Sequence, residues 1–169
     1  FSSALASAGY AVWSIEYRRT GDLGGGWPVT FMDVISGINK LNDLGEFGLN
    51  MERLVLMGHS AGGHLAILAG ARSGLLDLKP SLVLGLAAIT DVEAYARGLN
   101  SCQKSASAFM GGSPDEFPDR YEEVQAVNYG VDPNTVLLFG PDDQIVQSSQ
   151  AVLPGARSVR QEGAGHFDW

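Results

Sequence analysis

The run Leu54-Val55-Leu56-Met57-Gly58-His59-Ser60-Ala61-Gly62-Gly63-His64 restricts the fold more than any other stretch of this 169-residue chain. Four apolar residues stop at a glycine, one serine follows, and small residues lead on into a segment of helical character. This order reads as a strand, a sharp turn and a helix, with Ser60 at the apex. Gly58 and Gly62 bracket the serine in the spacing G-x-S-x-G, and each is expected to have a steric role in a turn too tight for side chains. The helix starting at Ala61 aims unpaired N–H groups and its positive dipole end at the same point. An oxyanion forming on a carbonyl attacked there would be stabilised.

A serine hydroxyl is a poor nucleophile until a base takes its proton as it attacks. Of the three histidines, His59 is fixed within the turn and His64 lies one helical turn further on, so both read as packing or supporting groups. His166 arrives from a distant loop, as a general base must. The base in turn needs a carboxylate to hold its tautomer and to stabilise imidazolium. Asp142 and Asp143 lie in the turn of residues 140–146. Adjacent side chains point in different directions, so only one of them can serve. The order Ser, Asp, His is the one that the strand-turn-helix motif demands.

The rest of the chain alternates strand-like and helix-like segments, which implies parallel strands joined by crossovers. Residues 1–8 read as the end of an amphipathic helix with Phe1, Leu5 and Ala8 on one face and Gly9 as its stop. Strands are expected at 10–17, 53–57, 81–89, 135–139 and, more weakly, 156–161. Arg18 and Arg19 end the first of these as a solvated exit. Helices are expected from Thr30, capped with Asp33, to Gly45, then at 61–72 and 147–153. The glycines of residues 21–28 form a loop near the site mouth; it lacks the Lys-Ser/Thr of a phosphate cradle. Residues 91–133 lose periodicity, with short helices at 92–97 and 121–127, and are expected to form a lid-like insertion within a single domain spanning 1–169.

Composition narrows the possible partners. A hydrophobic content of 45% with 18% charged residues suits one globular domain. The net charge of −8 and pI near 4.7 leave no basic stripe for nucleic acid. No apolar run is long enough to span a membrane. The single cysteine, Cys102, excludes an internal disulfide and leaves the compartment open, cytoplasmic or secreted. The three histidines lack partners at metal-ligand spacing, and no cofactor is expected. The chain starts at Phe1, inside what reads as a helix, and is expected to be a piece of a longer protein.

The segments Gly58-His59-Ser60-Ala61-Gly62-Gly63-His64-Leu65, Tyr17-Arg18-Arg19, Trp27-Pro28, Gly140-x-x-Asp143-x-x-Val146 and Gly165-His166-Phe167 resemble the α/β-hydrolase superfamily. Within it they are most similar to the esterase branch of feruloyl/acetylxylan-type esterases and arylformamidase-like enzymes. The resemblance covers nearly the whole chain and implies an α/β fold with a mostly parallel doubly wound sheet, lacking the first strands. It implies Ser60 as nucleophile, Asp143 as acid, His166 as base and the Ala61 amide as one oxyanion donor, acting on a small-molecule ester through an acyl-serine. An aryl-formamide or amide hydrolase with the same triad, or a catalytically idle binding protein on this fold, are the alternatives. Phe139, Gln147 and Asn128-Tyr129 depart from the branch without touching the triad. The branch also carries a His-Gly-Gly loop with a second oxyanion donor, on a strand between those matching 10–17 and 54–57. That strand is expected upstream of Phe1. Losing one such donor costs about 10²–10³ in turnover, so this chain is expected to be weakly active or inactive. Trp27, Phe109, Met110 and Phe167 are candidates for the acyl and alcohol pockets.

Overall fold

The leucine- and valine-rich runs become the strands of one sheet in a computed structural model that describes residues 2–169. These strands are β1 (Val55–His59), β2 (Leu82–Leu86), β3 (Thr135–Phe139) and β4 (Arg157–Arg160). They lie side by side in chain order and all parallel, with Gly58 level with Gly85 and Gly85 with Leu137. Parallel strands in chain order need a crossover after each one. Six helices accompany them: α1 (Ser2–Ser7), α2 (Val29–Asn39), α3 (Ala61–Ala71), α4 (Val92–Ala96), α5 (Ser101–Met110) and α6 (Pro118–Glu123). The expected α/β architecture with a parallel sheet is therefore present.

The helix α3 is buried almost all round, from Gly63 to Gly70. Its small residues let it lie against the sheet. A methyl added at Gly70 would come within 2.6 Å of a Val83 methyl, and one at Gly63 within 2.6 Å of the Ala88 Cβ. Leu68 and Ala69 on α3, Val83 on β2 and Phe31 on α2 have no solvent exposure, and Leu137 on β3 has almost none. Burying a side chain of this size contributes roughly 1.5–3 kcal/mol.

The expected strand at 10–17 is absent. Residues 10–18 form no regular structure, and Tyr10 and Trp13 are about half exposed. A strand exists only where a neighbour takes its backbone hydrogen bonds, and β1, at the edge of the sheet, does not pair with this segment. It rests instead on α2. The Trp13 indole N–H donates to the Gly37 carbonyl, Ile15 packs where a side chain at Gly37 would sit, and Arg18 clasps Asp33 through two nitrogens at 2.6 and 2.8 Å. Arg18 is thus an ion-pair partner rather than a free solvated exit.

Other boundaries moved for identifiable reasons. The chain enters α2 at Pro28 without a side-chain cap. Thr30 is engaged elsewhere, its hydroxyl donating to the Arg18 carbonyl and accepting from the Gly26 N–H, and Asp33 is held by Arg18. Beyond α2 a 3-10 stretch runs from Lys40 to Phe47 and stops at Gly48, at φ 64°, rather than at Gly45. The helix expected at 147–153 contracts to a 3-10 turn, Ser148–Ala151. Ser148 and Ser149 are poor helix formers, and Pro154 pushes the residue before it toward extended backbone. The first helix, α1, ends as expected near Gly9, at φ 89°; the placement of Phe1 on its apolar face lies outside the described residues. Residues 91–133 contain α4, α5 and α6, and they deliver Tyr95, Met110, Tyr121 and Val124 to the core.

Candidate active site

Ser60 follows β1 directly and precedes α3, with φ 55° and ψ −119°. Backbone of this kind costs about 1–3 kcal/mol and persists only where the surroundings enforce it. The enforcement is visible. The Ser60 N–H donates to the Leu86 carbonyl at 2.8 Å, and the Ser60 carbonyl accepts from the His64 N–H at 3.1 Å and the Ile89 N–H at 3.4 Å. Ala87, the residue after β2, is the other non-glycine at positive φ among the described residues. Strain is thus concentrated where β1 and β2 end.

The two glycines of the motif are not equivalent. A Cβ at Gly58 would lie 2.1 Å from the Gly62 carbonyl oxygen, so β1 and the first turn of α3 touch backbone to backbone there. At Gly62 the nearest group would be the Tyr17 hydroxyl, at 3.9 Å. The expected steric role of Gly62 is therefore absent, and Gly63, against Ala88, carries it. Ala61 is exposed, and its N–H, the first of α3, has no acceptor among the described residues.

Asp143 and His166 meet as a buried pair. The His166 Nδ1–H donates to Asp143 Oδ2 at 2.8 Å, and their side chains are 6% and 2% exposed. The other carboxylate oxygen, Oδ1, accepts from the N–H groups of Ile145 and Val146, both at 2.8 Å. Three hydrogen bonds satisfy a carboxylate that burial would otherwise make costly. Because an ionised carboxylate only accepts, the proton sits on Nδ1 and the Nε2 lone pair is left free. Asp142, next in sequence, is exposed.

Neighbouring elements brace these loops. The Tyr95 hydroxyl donates to the Ile145 carbonyl at 3.2 Å, and burial, ahead of the nearby Cys102 and Asp143, pushes that hydroxyl up to about 12. Gly140 lets the turn of Asp143 meet the loop of His166, since a Cβ there would lie 1.9 Å from the Ala164 carbonyl oxygen. Asp168 accepts the Gly165 N–H at 2.7 Å and closes the turn that contains His166 and Phe167. Gln150, buried, accepts from the N–H groups of Thr90 and Asp91 and ties the segment after β2 to the segment after the Asp143 turn. Nothing in the sequence marked Gln150 or Tyr95 for these tasks. The His166 loop also lies against the end of β1 beside Ser60: the His59 and His166 ring centroids are 4.5 Å apart. Ser60 Oγ and His166 Nε2 make no hydrogen bond to each other.

His64 is a packing residue, 5% exposed, with Nε2 lacking a partner among the described residues. Burial pulls its imidazole down from 6.5 to about 4, against an opposing backbone hydrogen bond at Ile89. A folded state that resists protonation loses stability as pH falls from 6.5 toward 4, because the unfolded chain takes up the proton first. At pH 5 the expected loss is about 2 kcal/mol relative to pH 8. Urea titrations at the two pH values measure it, and replacing His64 by Leu should remove this part of the pH dependence. A wild-type midpoint that does not move would contradict it.

The pocket candidates divide. Met110 is fully buried, and Trp27 stacks on Phe31 at 5.7 Å and meets Phe109 edge-on at 6.4 Å, so these three are packing residues. Phe167 is 77% exposed and lies edge-on to His166, with centroids 4.8 Å apart. A groove of about 600 Å³ lies elsewhere, between residues 13–18 and α2, and neither Ser60 nor His166 lines it. Among the described residues there is no group of His, Cys, Asp and Glu able to hold a metal ion, and no helix is long and apolar enough to cross a membrane.

A serine on strained backbone between a parallel strand and a helix, with a buried Asp–His pair from later loops, is the architecture of the α/β-hydrolase class. Solved structures superpose on this fold. The bifunctional GH43-CE protein of Bacteroides eggerthii superposes with a TM-score of 0.81 at 21% identity, over 99% of this chain and 26% of that one. Esterase B of Lactobacillus rhamnosis gives 0.78 at 20% identity, over 98% of this chain and 62% of that one. The acetyl ester-xyloside bifunctional hydrolase of Caldicellulosiruptor lactoaceticus gives 0.67 at 18% identity, over 89% and 60%. This chain thus spans less than two thirds of the length of each. The family model BD-FAE, of an α/β-hydrolase esterase family, matches residues 1–154, and the chain belongs to that family. No curated protein matches it.

Proposed function

We propose that this chain carries the catalytic centre of a carboxylic ester hydrolase, with Ser60 as nucleophile, His166 as general base and Asp143 as its orienting acid. The observation that carries the reading is the buried Asp143–His166 pair, whose histidine packs on His59, the residue before a serine on strained backbone. In the first half-reaction Ser60 Oγ attacks the ester carbonyl carbon as His166 Nε2 takes its proton. The Ala61 N–H stabilises the oxyanion, and the tetrahedral adduct expels the alcohol, which leaves with the proton from His166. Water then attacks the acyl-serine by the same route and releases the carboxylic acid. The Oγ–Nε2 hydrogen bond forms when substrate is bound, since such bonds commonly tighten only in the complex.

The test is covalent. A fluorophosphonate probe should label the protein at one site, mapped by peptide mass spectrometry to Ser60. Ser60→Ala should lose both the labelling and the hydrolysis of p-nitrophenyl acetate. Hydrolysis by Ser60→Ala at the wild-type rate would overturn the proposal. A panel in which N-formylarylamines outrank acetyl esters would replace ester by formamide cleavage.

A further inference from the structure

His59 is the last residue of β1, directly before Ser60, and its ring reaches a residue 107 positions away in sequence. Its Nε2 lies 2.7 Å from the His166 carbonyl oxygen, and the ring is partly buried between His166 and Phe167, with centroids 4.5 and 5.8 Å off. A carbonyl only accepts, so His59 must carry its proton on Nε2 and donate. Asp143 holds the His166 ring by its side chain, whereas this contact holds the His166 backbone. Together they fix two points of one residue relative to two parts of the fold: the acid turn after β3 and the nucleophile turn after β1.

We infer that His59 is a positioning residue, whose Nε2–H sets the distance between Ser60 Oγ and His166 Nε2 by anchoring the base loop to the nucleophile turn. It touches neither substrate nor the transferred proton. The inference rests on the acyl-serine reading above and adds a residue to it. Misplacing a reacting pair by about 1 Å costs about a hundredfold, so the effect should fall on the chemical step. A glutamine can extend its amide nitrogen to about the same point as Nε2 and donate in the same sense; leucine fills similar space and donates nothing.

The full chain is compared as wild type, His59→Leu and His59→Gln, with p-nitrophenyl acetate turnover, fluorophosphonate labelling rate and histidine NMR. For His59→Leu, kcat and the labelling rate are expected to fall about ten- to a hundredfold with KM little changed. His59→Gln should recover most of that loss. In the wild-type protein the ring carbon and nitrogen shifts of His59 should report the Nε2–H tautomer. The downfield Nδ1 proton of His166 should be lost to exchange in His59→Leu and retained in His59→Gln. An Nδ1–H tautomer at His59, or a leucine variant as fast as wild type, would overturn the inference while labelling at Ser60 left the hydrolase reading intact. Failure to label the wild type would strike that reading instead, with the NMR outcomes still deciding the anchor.

Discussion

Asp143→Asn is expected to lower kcat/KM for ester hydrolysis about 10⁴-fold, whereas Asp142→Asn should leave it within about threefold. The asymmetry follows from burial and direction. Asp143 sits under the surface with one oxygen on two backbone N–H groups and the other on His166, while Asp142 is exposed. In the asparagine variant the oxygen facing Ile145 and Val146 can still accept both N–H groups, so the turn keeps its shape. The amide nitrogen then faces His166 Nδ1, and two donors cannot share that contact. The imidazole must move its proton to Nε2, which removes the lone pair that takes the proton from Ser60. Circular dichroism should show both variants folded. A larger loss in Asp142→Asn would reverse the assignment of the acid.

Gly58→Ala should destabilise the protein by more than about 4 kcal/mol. Its added methyl would lie 2.1 Å from the Gly62 carbonyl oxygen, 2.3 Å from the carbonyl carbon and 2.7 Å from the Gly63 nitrogen. All three are backbone atoms of the first turn of α3, which is itself wedged against Ala88. No rotamer change relieves the overlap, so the helix has to lift off β1 and open the core around Leu65 and Leu68. Gly62→Ala makes a clean contrast, because only the Tyr17 hydroxyl comes within 4 Å of the new methyl. That variant should stay within about 1 kcal/mol of wild type, helped by the better helix propensity of alanine. Urea unfolding of the two proteins measures the difference. Equal midpoints would show that the turn has slack on the Gly58 side.

The differences between expectation and structure at 10–17, at Gly62 and at 101–110 share a physical origin in what a local pattern can carry. Aromatic and branched residues at 10–17 describe a segment able to pair, yet whether it pairs depends on a neighbour elsewhere in the chain. The G-x-S-x-G spacing indicates a tight turn without saying which glycine faces backbone and which faces open space. Residues 101–110 are polar and serine-rich, yet they form α5, whose start is marked by the capping box of Asn100 and Gln103.

The serine turn, the parallel strands and the order of Ser60, Asp143 and His166 were all present in the linear chain, because each is a matter of local pattern or of motif order. Folding buried Asp143, and not its neighbour Asp142, against the histidine, since only packing can separate two adjacent carboxylates in this way. It also joined His59 to the His166 backbone and left the segment at 10–17 on α2 without a strand partner. Each of these depends on groups distant in sequence coming within hydrogen-bond range, and no short stretch of residues encodes that proximity.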